Sequence, residues 1–101
     1  MHKHPSIKEA QRCDELYILG QQKIISNLKQ QPEFVLQPKF KLRGKTIRAI
    51  TYKADFSYFD NIKKKFVVED TKGFRTRDYI IKSKILQFMM RDREDFIFLE
   101  S

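Results

Sequence analysis

Between residues 46 and 59 apolar and polar side chains alternate. Ile50, Tyr52, Ala54, Phe56 and Tyr58 fall on one side, with Thr51, Lys53, Asp55 and Ser57 on the other. A two-residue period places unlike residues on the two faces of a strand, whereas a helix would scatter them around its circumference. Asp60-Asn61 is a turn signal, and residues 65–72 start a partner strand, so this region predicts a β-hairpin. A tight turn at Asp60 would set residue 55 opposite residue 66, leaving Asp70 about four positions out of register with Asp55.

The rest of the chain has little punctuation, with three Gly and three Pro. Residues 6–22 predict a first helix, its stripe built from Ile7, Ala10, Cys13 and Tyr17 and widened by Leu16 and Leu19. Ser6 suits its N-cap, Glu9 completes a capping box, and Gly20 lies near its end. Residues 24–28 and 33–36 read as short extended pieces, interrupted by Pro32 and stopped by Gln37-Pro38, and Arg43-Gly44 supplies a turn. Gly73 ends the hairpin. Thr76 or Asp78 then caps a second helix running to about Met90, with Ile81, Ile85, Phe88 and Met89 as its buried stripe. Residues 96–99 form a last apolar strand. The order is helix, three strand regions, helix, strand: an α/β domain with a mixed sheet flanked by helices.

Composition narrows what such a domain does. A chain of 101 residues fits one domain spanning 1–101. With 41% hydrophobic and 13% aromatic residues it is too apolar to be a disordered basic tail. No apolar run approaches the roughly 18 residues of a membrane span, and the first twelve residues carry no apolar segment of the signal-peptide kind. The single Cys13 excludes an internal disulfide and a multi-cysteine zinc site, which fits a reducing, cytoplasmic setting. The 21 Lys and Arg exceed the 13 Asp and Glu by eight, and the pI is near 9.7, a balance that favours a polyanion, nucleic acid first. These charges are spread through structured segments, with residues 63–65 as the one local lysine block.

The residues with chemistry to offer are Asp70-Thr71-Lys72, at the end of the strand carrying Phe66, Val67 and Val68. Alternation puts Asp70 and Lys72 on one face about 7 Å apart, with Thr71 turned away. A carboxylate and an ammonium so placed can divide labour, one holding a divalent cation and the other orienting water beside a phosphate. An acid-x-Lys triplet is also the common form of a solvated charge pair.

The segments YKADF (52–56) and VVEDTKG (67–73), with residues 6–12, 25–34 and 79–86, resemble a small phage and prophage family of the PD-(D/E)XK nuclease superfamily. The resemblance covers nearly the whole chain. It implies a restriction-endonuclease-like αβββαβ core and a Mg²⁺-dependent DNA endonuclease similar to Holliday-junction resolvases, with Mn²⁺ as a substitute ion. Asp55 matches the first strand carboxylate, Asp70 and Lys72 the acid-x-Lys pair, and Glu9 the glutamate that the first helix contributes. The implied metal ligands are Asp55, Asp70 and Glu9. Lys72 is implied to place the attacking water and stabilise charge at phosphorus.

Competing assignments accompany these. Glu9 serves equally as the capping acid for Ser6. Glu15 is the other helix acid, although it lies well around the helix from Glu9. Glu69 is the other strand acid, on the face opposite Lys72. Gln31, beside Gln30, matches a polar position of the family and is a candidate for placing water or phosphate, against a plain surface amide. Arg75, Arg77, Lys82 and Lys84 around the second helix would neutralise DNA phosphates, against a solvated helix face. His2 and His4 lack the partners of a zinc site, and Cys13 reads as a core thiol. Tyr52, Tyr58 and Phe74 would stack on bases only if exposed.

The expected function is therefore a DNA endonuclease acting in recombination or repair, on branched DNA by the resolvase resemblance, within a phage- or prophage-bearing host cell. Cutting two strands would call for a symmetric homodimer. The alternatives are a non-catalytic nucleic-acid-binding module on a nuclease fold and a protein that binds an acidic protein partner.

Overall fold

The computed structural model describes residues 7–71 and 75–100. Two helices, α1 (Ile7–Gln21) and α2 (Arg77–Met89), accompany eight strands: β1 (Ile25–Gln30), β2 (Glu33–Gln37), β3 (Phe40–Leu42), β4 (Lys45–Ile47), β5 (Ile50–Lys53), β6 (Phe56–Asp60), β7 (Lys65–Asp70) and β8 (Phe96–Glu100). The main sheet runs β1-β6-β7-β8, with its first two pairings antiparallel and the last parallel. Two further ladders, β2 with β5 and β3 with β4, continue the β1–β6 pair away from the sheet. The chain is thus α/β with a mixed sheet and two helices, as expected.

Helices pack on both faces of the sheet. Cys13 and Leu16 of α1 meet Ile25, Phe56, Tyr58 and Val67 in one core cluster, while Tyr79 and Leu86 of α2 meet Tyr52, Ala54 and Val68 in the other. Val67 and Val68 are consecutive in β7, so each faces its own helix. Alternation of this kind, with both faces apolar, marks a strand covered on both sides. Among the described residues no helix is long and apolar enough to cross a membrane.

The alternating run predicted as one strand over 46–59 is divided among β4, β5 and β6. Gln31 adopts a left-handed conformation at φ 51°, and its N–H donates to the Asp55 carbonyl at 2.8 Å, while Ala54 N–H donates to the Pro32 carbonyl at 3.1 Å. Both chains bend there. Tyr52 and Ala54 consequently join the α2 cluster, whereas Phe56 and Tyr58 join the α1 cluster, although alternation alone places all four on one side.

Both helices are rotated from their predicted stripes. In α2 the buried residues are Tyr79, Ser83 and Leu86, while Ile81, Ile85, Phe88 and Met89 are exposed. Ile81 lies two residues beyond Tyr79, about 200° around the helix, so the two cannot face the sheet together. Thr76 is the N-cap, its Oγ1 accepting from Tyr79 N–H at 3.1 Å. In α1 the buried line is Glu9, Cys13 and Leu16, and the expected Ile7 and Tyr17 are exposed. The expected caps and ends at Ser6 and Gly73, the His2–His4 pair, Phe74 and Lys72 lie outside the described residues.

Candidate active site

The β6–β7 turn decides which carboxylates meet. It occupies four residues rather than two. The Asp60 side chain accepts from the N–H groups of Ile62 and Lys63, each at 3.0 Å, and Lys64 takes φ 59°. The ladder then pairs Asp60 with Lys65, Tyr58 with Val67 and Phe56 with Glu69. One further step in that register sets Asp55 across from Asp70. The predicted offset of about four residues does not occur, because the longer turn absorbs it.

Both carboxylates are buried, Asp55 at 7% exposure and Asp70 at 0%. One oxygen of Asp55, Oδ2, accepts from Thr71 N–H at 2.7 Å and from Thr71 Oγ1 at 2.9 Å. Asp70 Oδ2 accepts from the Tyr52 hydroxyl. The backbone of Asp55 is held from the other side by Gln31 N–H. Gln31 therefore contributes to the site through its main chain, at the bend, while its side chain is exposed.

Glu69 takes a different environment. It is 0% exposed and binds Arg12 through two hydrogen bonds, from Nε at 2.5 Å and from a terminal nitrogen at 3.0 Å, with Tyr58 hydroxyl donating at 2.8 Å. This bidentate geometry is the strong form of a carboxylate pair. The hydrogen bond to Glu69 raises the Arg12 pKa, and burial pushes the Tyr58 phenol up, with the Glu69 bond adding to it.

Beyond Asp70 the α2 face carries a second network. Tyr79 hydroxyl donates to Glu100, which also pairs with Arg75 at 2.5 Å. Burial raises the Tyr79 pKa, reinforced by the bond to Glu100 and the charge of Asp70.

Glu9 is buried at 4% exposure on the sheet side of α1, one turn before Cys13. Among the described residues no three His, Cys, Asp or Glu side chains gather to hold a metal, so Glu9 is not joined to the two aspartates. Glu15 is exposed and lies 3.6 Å from Arg12. The predicted phosphate-binding cations divide in two. Arg75 is paired with Glu100, and Lys82 lies 3.2 Å from Asp78. Arg77 and Lys84 are exposed. Tyr52 and Tyr58 are buried and cannot stack on bases. Cys13 is a core thiol whose Sγ accepts from Gln30 Nε2 at 3.0 Å, and burial, then the charges of Asp14 and Glu9, push its pKa up.

Sequence reasoning missed the hydroxyl tethers at Tyr52 and Thr71 and the Arg12–Glu69–Tyr58 cluster. Tyr52 had the signal of a core aromatic and Thr71 that of an outward residue. Their polar roles depend on the bend and the hairpin register, which no short-range pattern specifies.

The model of a family described as "Protein of unknown function (DUF1064)" matches residues 2–99. No curated protein and no solved structure matches the chain.

Proposed function

The chain belongs to that family, whose description states no function, and we propose from the site itself that it is a metal-dependent DNA endonuclease. The observation that carries this reading is the hairpin register setting Asp55 across from Asp70 at the end of β7, both buried and both tethered by hydroxyl groups. The order α1, β1, β6, β7, α2, β8 around the main sheet supports the finer assignment to a restriction-endonuclease-like core, because it is the αβββαβ order that the sequence resemblance implies.

Two carboxylates are a donor set suited to Mg²⁺, which takes hard oxygen ligands, uses one or two carboxylates and keeps several waters. Asp55 and Asp70 would hold it, with Glu9 outside the pair. Bound there, the ion supplies an acidified water and charge neutralisation at the phosphate. The chain's own part is positioning. Thr71 fixes the Asp55 carboxylate through two donors, Tyr52 fixes that of Asp70, and Gln31 holds the backbone that carries Asp55. Lys72, two residues past Asp70, is assigned the placement of water and the stabilisation of negative charge at phosphorus.

The full burial of Asp70 favours a second reading, a nucleic-acid-binding module with no cleavage. A cleavage assay separates the two. Duplex, single-stranded, flap and four-way-junction DNA are offered at low salt with Mg²⁺ or Mn²⁺, with Asp70→Asn in parallel. Metal-dependent cuts that vanish in the variant support the nuclease. A folded protein that binds DNA and makes no cut on any substrate overturns it in favour of the binding module.

A further inference from the structure

The basic charge of this protein is concentrated in one stretch of the chain, centred on a projecting element. Between Glu33 and Asp55 there is no acidic residue, and the interval holds Lys39, Lys41, Arg43, Lys45, Arg48 and Lys53. Removing those six leaves 15 Lys and Arg against 13 Asp and Glu, so the remainder of the chain carries only +2 of the total +8. All six are exposed, and among the described residues none enters an ion pair.

The element itself is a two-stranded ribbon. β3 and β4 pair only with each other, in the register Phe40 with Ile47 and Leu42 with Lys45. Arg43 and Gly44 join them with φ 50° and 78°, the paired left-handed conformation of a tight hairpin turn whose twist matches its strands. Residues 38–46 are all exposed and of the ribbon only Ile47 is partly covered, so among the described residues little packs on it. The molecule measures 52 × 31 × 23 Å, and its radius of gyration of 15.3 Å exceeds the roughly 13 Å of a compact domain this size. An unsupported strand pair of this kind is marginal in water and gains order from a partner.

We propose that this ribbon is a DNA-gripping arm that lies along the major groove of duplex DNA next to the cleavage site. The major groove, about 12 Å wide, admits a two-stranded ribbon. Cations distributed over both strands and the turn are arranged for the phosphates on either side. Phe40, Leu42 and Ile47 share one face with Lys45, opposite Lys41 and Thr46, and would meet the groove floor, where thymine methyls offer apolar contact and guanine edges accept from a lysine. The ribbon leads through the β2–β5 ladder to the bend at Gln31 and Asp55, so a duplex lying along the arm and that ladder is led toward Asp55 and Asp70. The identity of the polymer rests on the nuclease reading, while the grip is testable without cleavage.

The test is equilibrium binding of a fluorescent DNA duplex in EDTA across a salt series, in the Asp70→Asn background. The variant Lys41→Gln, Arg43→Gln, Lys45→Gln is compared with the matched removal Lys63→Gln, Lys64→Gln, Lys65→Gln at the other hairpin tip. Three lost phosphate contacts reduce the slope of log K against log salt by about 2.7, and the single Arg43→Gln reduces it by about 1. The lysine-tip variant should retain most of the wild-type slope. Arm variants that keep wild-type affinity and slope overturn the proposal, even if the protein proves to be a nuclease. Equal losses from both variants also overturn it, because net charge alone then explains binding. Preferential binding of phosphatidylserine vesicles through the arm, with DNA binding unaffected, assigns the arm to a membrane instead. Conversely, arm-dependent DNA binding without any metal-dependent cutting upholds the arm and removes the nuclease.

Discussion

Glu69 and Asp70 are consecutive acids in one strand, both at 0% exposure, and the fold treats them in opposite ways. Glu69 faces α1 and meets a guanidinium on two hydrogen bonds with a phenol on a third. Asp70 projects to the other face and takes the hydroxyl of Tyr52, while Asp55 across the hairpin takes the donors of Thr71. A guanidinium cancels a carboxylate's charge as well as orienting it. A neutral hydroxyl or amide orients the carboxylate without adding a charge of its own. The first arrangement is a structural pin between helix and sheet, and on the nuclease reading the second orients two carboxylates as ligands for one cation. On the nuclease reading Glu69 serves stability and Asp70 chemistry, a distinction that the adjacent letters of the sequence leave open.

Removing Arg12 breaks the structural half. Arg12→Met leaves the Glu69 carboxylate buried with only the Tyr58 donor, and stability should fall by about 3 kcal/mol, read as a lower urea midpoint. The double variant Arg12→Met, Glu69→Leu should recover most of that loss, because replacing both members of a buried pair with apolar groups is often neutral. Asp70→Asn should leave the urea midpoint near that of the wild type. If Arg12→Met melts like the wild type, or Asp70→Asn loses as much stability as it does, the division between the two acids is wrong.

Tyr52→Phe sharpens the other half. It removes only the hydroxyl that orients Asp70 and keeps the ring against Phe34 and Tyr79. On the nuclease reading the expected loss is about tenfold in kcat with KM nearly unchanged, equal to about 1.4 kcal/mol in the transition state. A change in KM alone would show that Tyr52 acts on substrate binding rather than on Asp70.

Much of the architecture was legible in the sequence because it rests on short-range patterns. The hairpin, the break at Pro32, the Arg43-Gly44 turn, the Thr76 cap and the last strand follow from alternation and turn chemistry. Two features were not legible. The hairpin register depends on whether the turn takes two residues or four, and that was settled by the Asp60 side chain accepting two successive N–H groups. The buried side of α2 is the second. Ile81, Ile85, Phe88 and Met89 have ideal helical spacing, yet the sheet side goes to Tyr79, Ser83 and Leu86. Periodicity says which residues share a face, and tertiary contacts decide which face is covered. Tyr79 is drawn inward by its bond to Glu100 of β8, a partner about twenty residues away that no local window contains.

The smallest expected effect concerns the two buried phenols, one on each side of the sheet. Tyr58 stands beside Glu69, and Tyr79 lies near Asp70 and bonds Glu100. Burial and the neighbouring carboxylate raise both above the ordinary value of 10. Below pH 10 each phenol is neutral in the folded and the unfolded chain, so neither contributes pH dependence. Above it the unfolded chain releases the proton while the folded chain keeps it, and stability falls as pH rises toward the folded pKa. At pH 10.5 each phenol should account for about 0.8 kcal/mol of loss. Urea titrations at pH 9 and 10.5 should show this decline reduced in Tyr58→Phe and in Tyr79→Phe by similar amounts. A reduction in Tyr58→Phe alone would mean that the Asp70 side of the sheet is open enough for its phenol to ionise in the folded state, as the nuclease reading expects of a face that admits a phosphate.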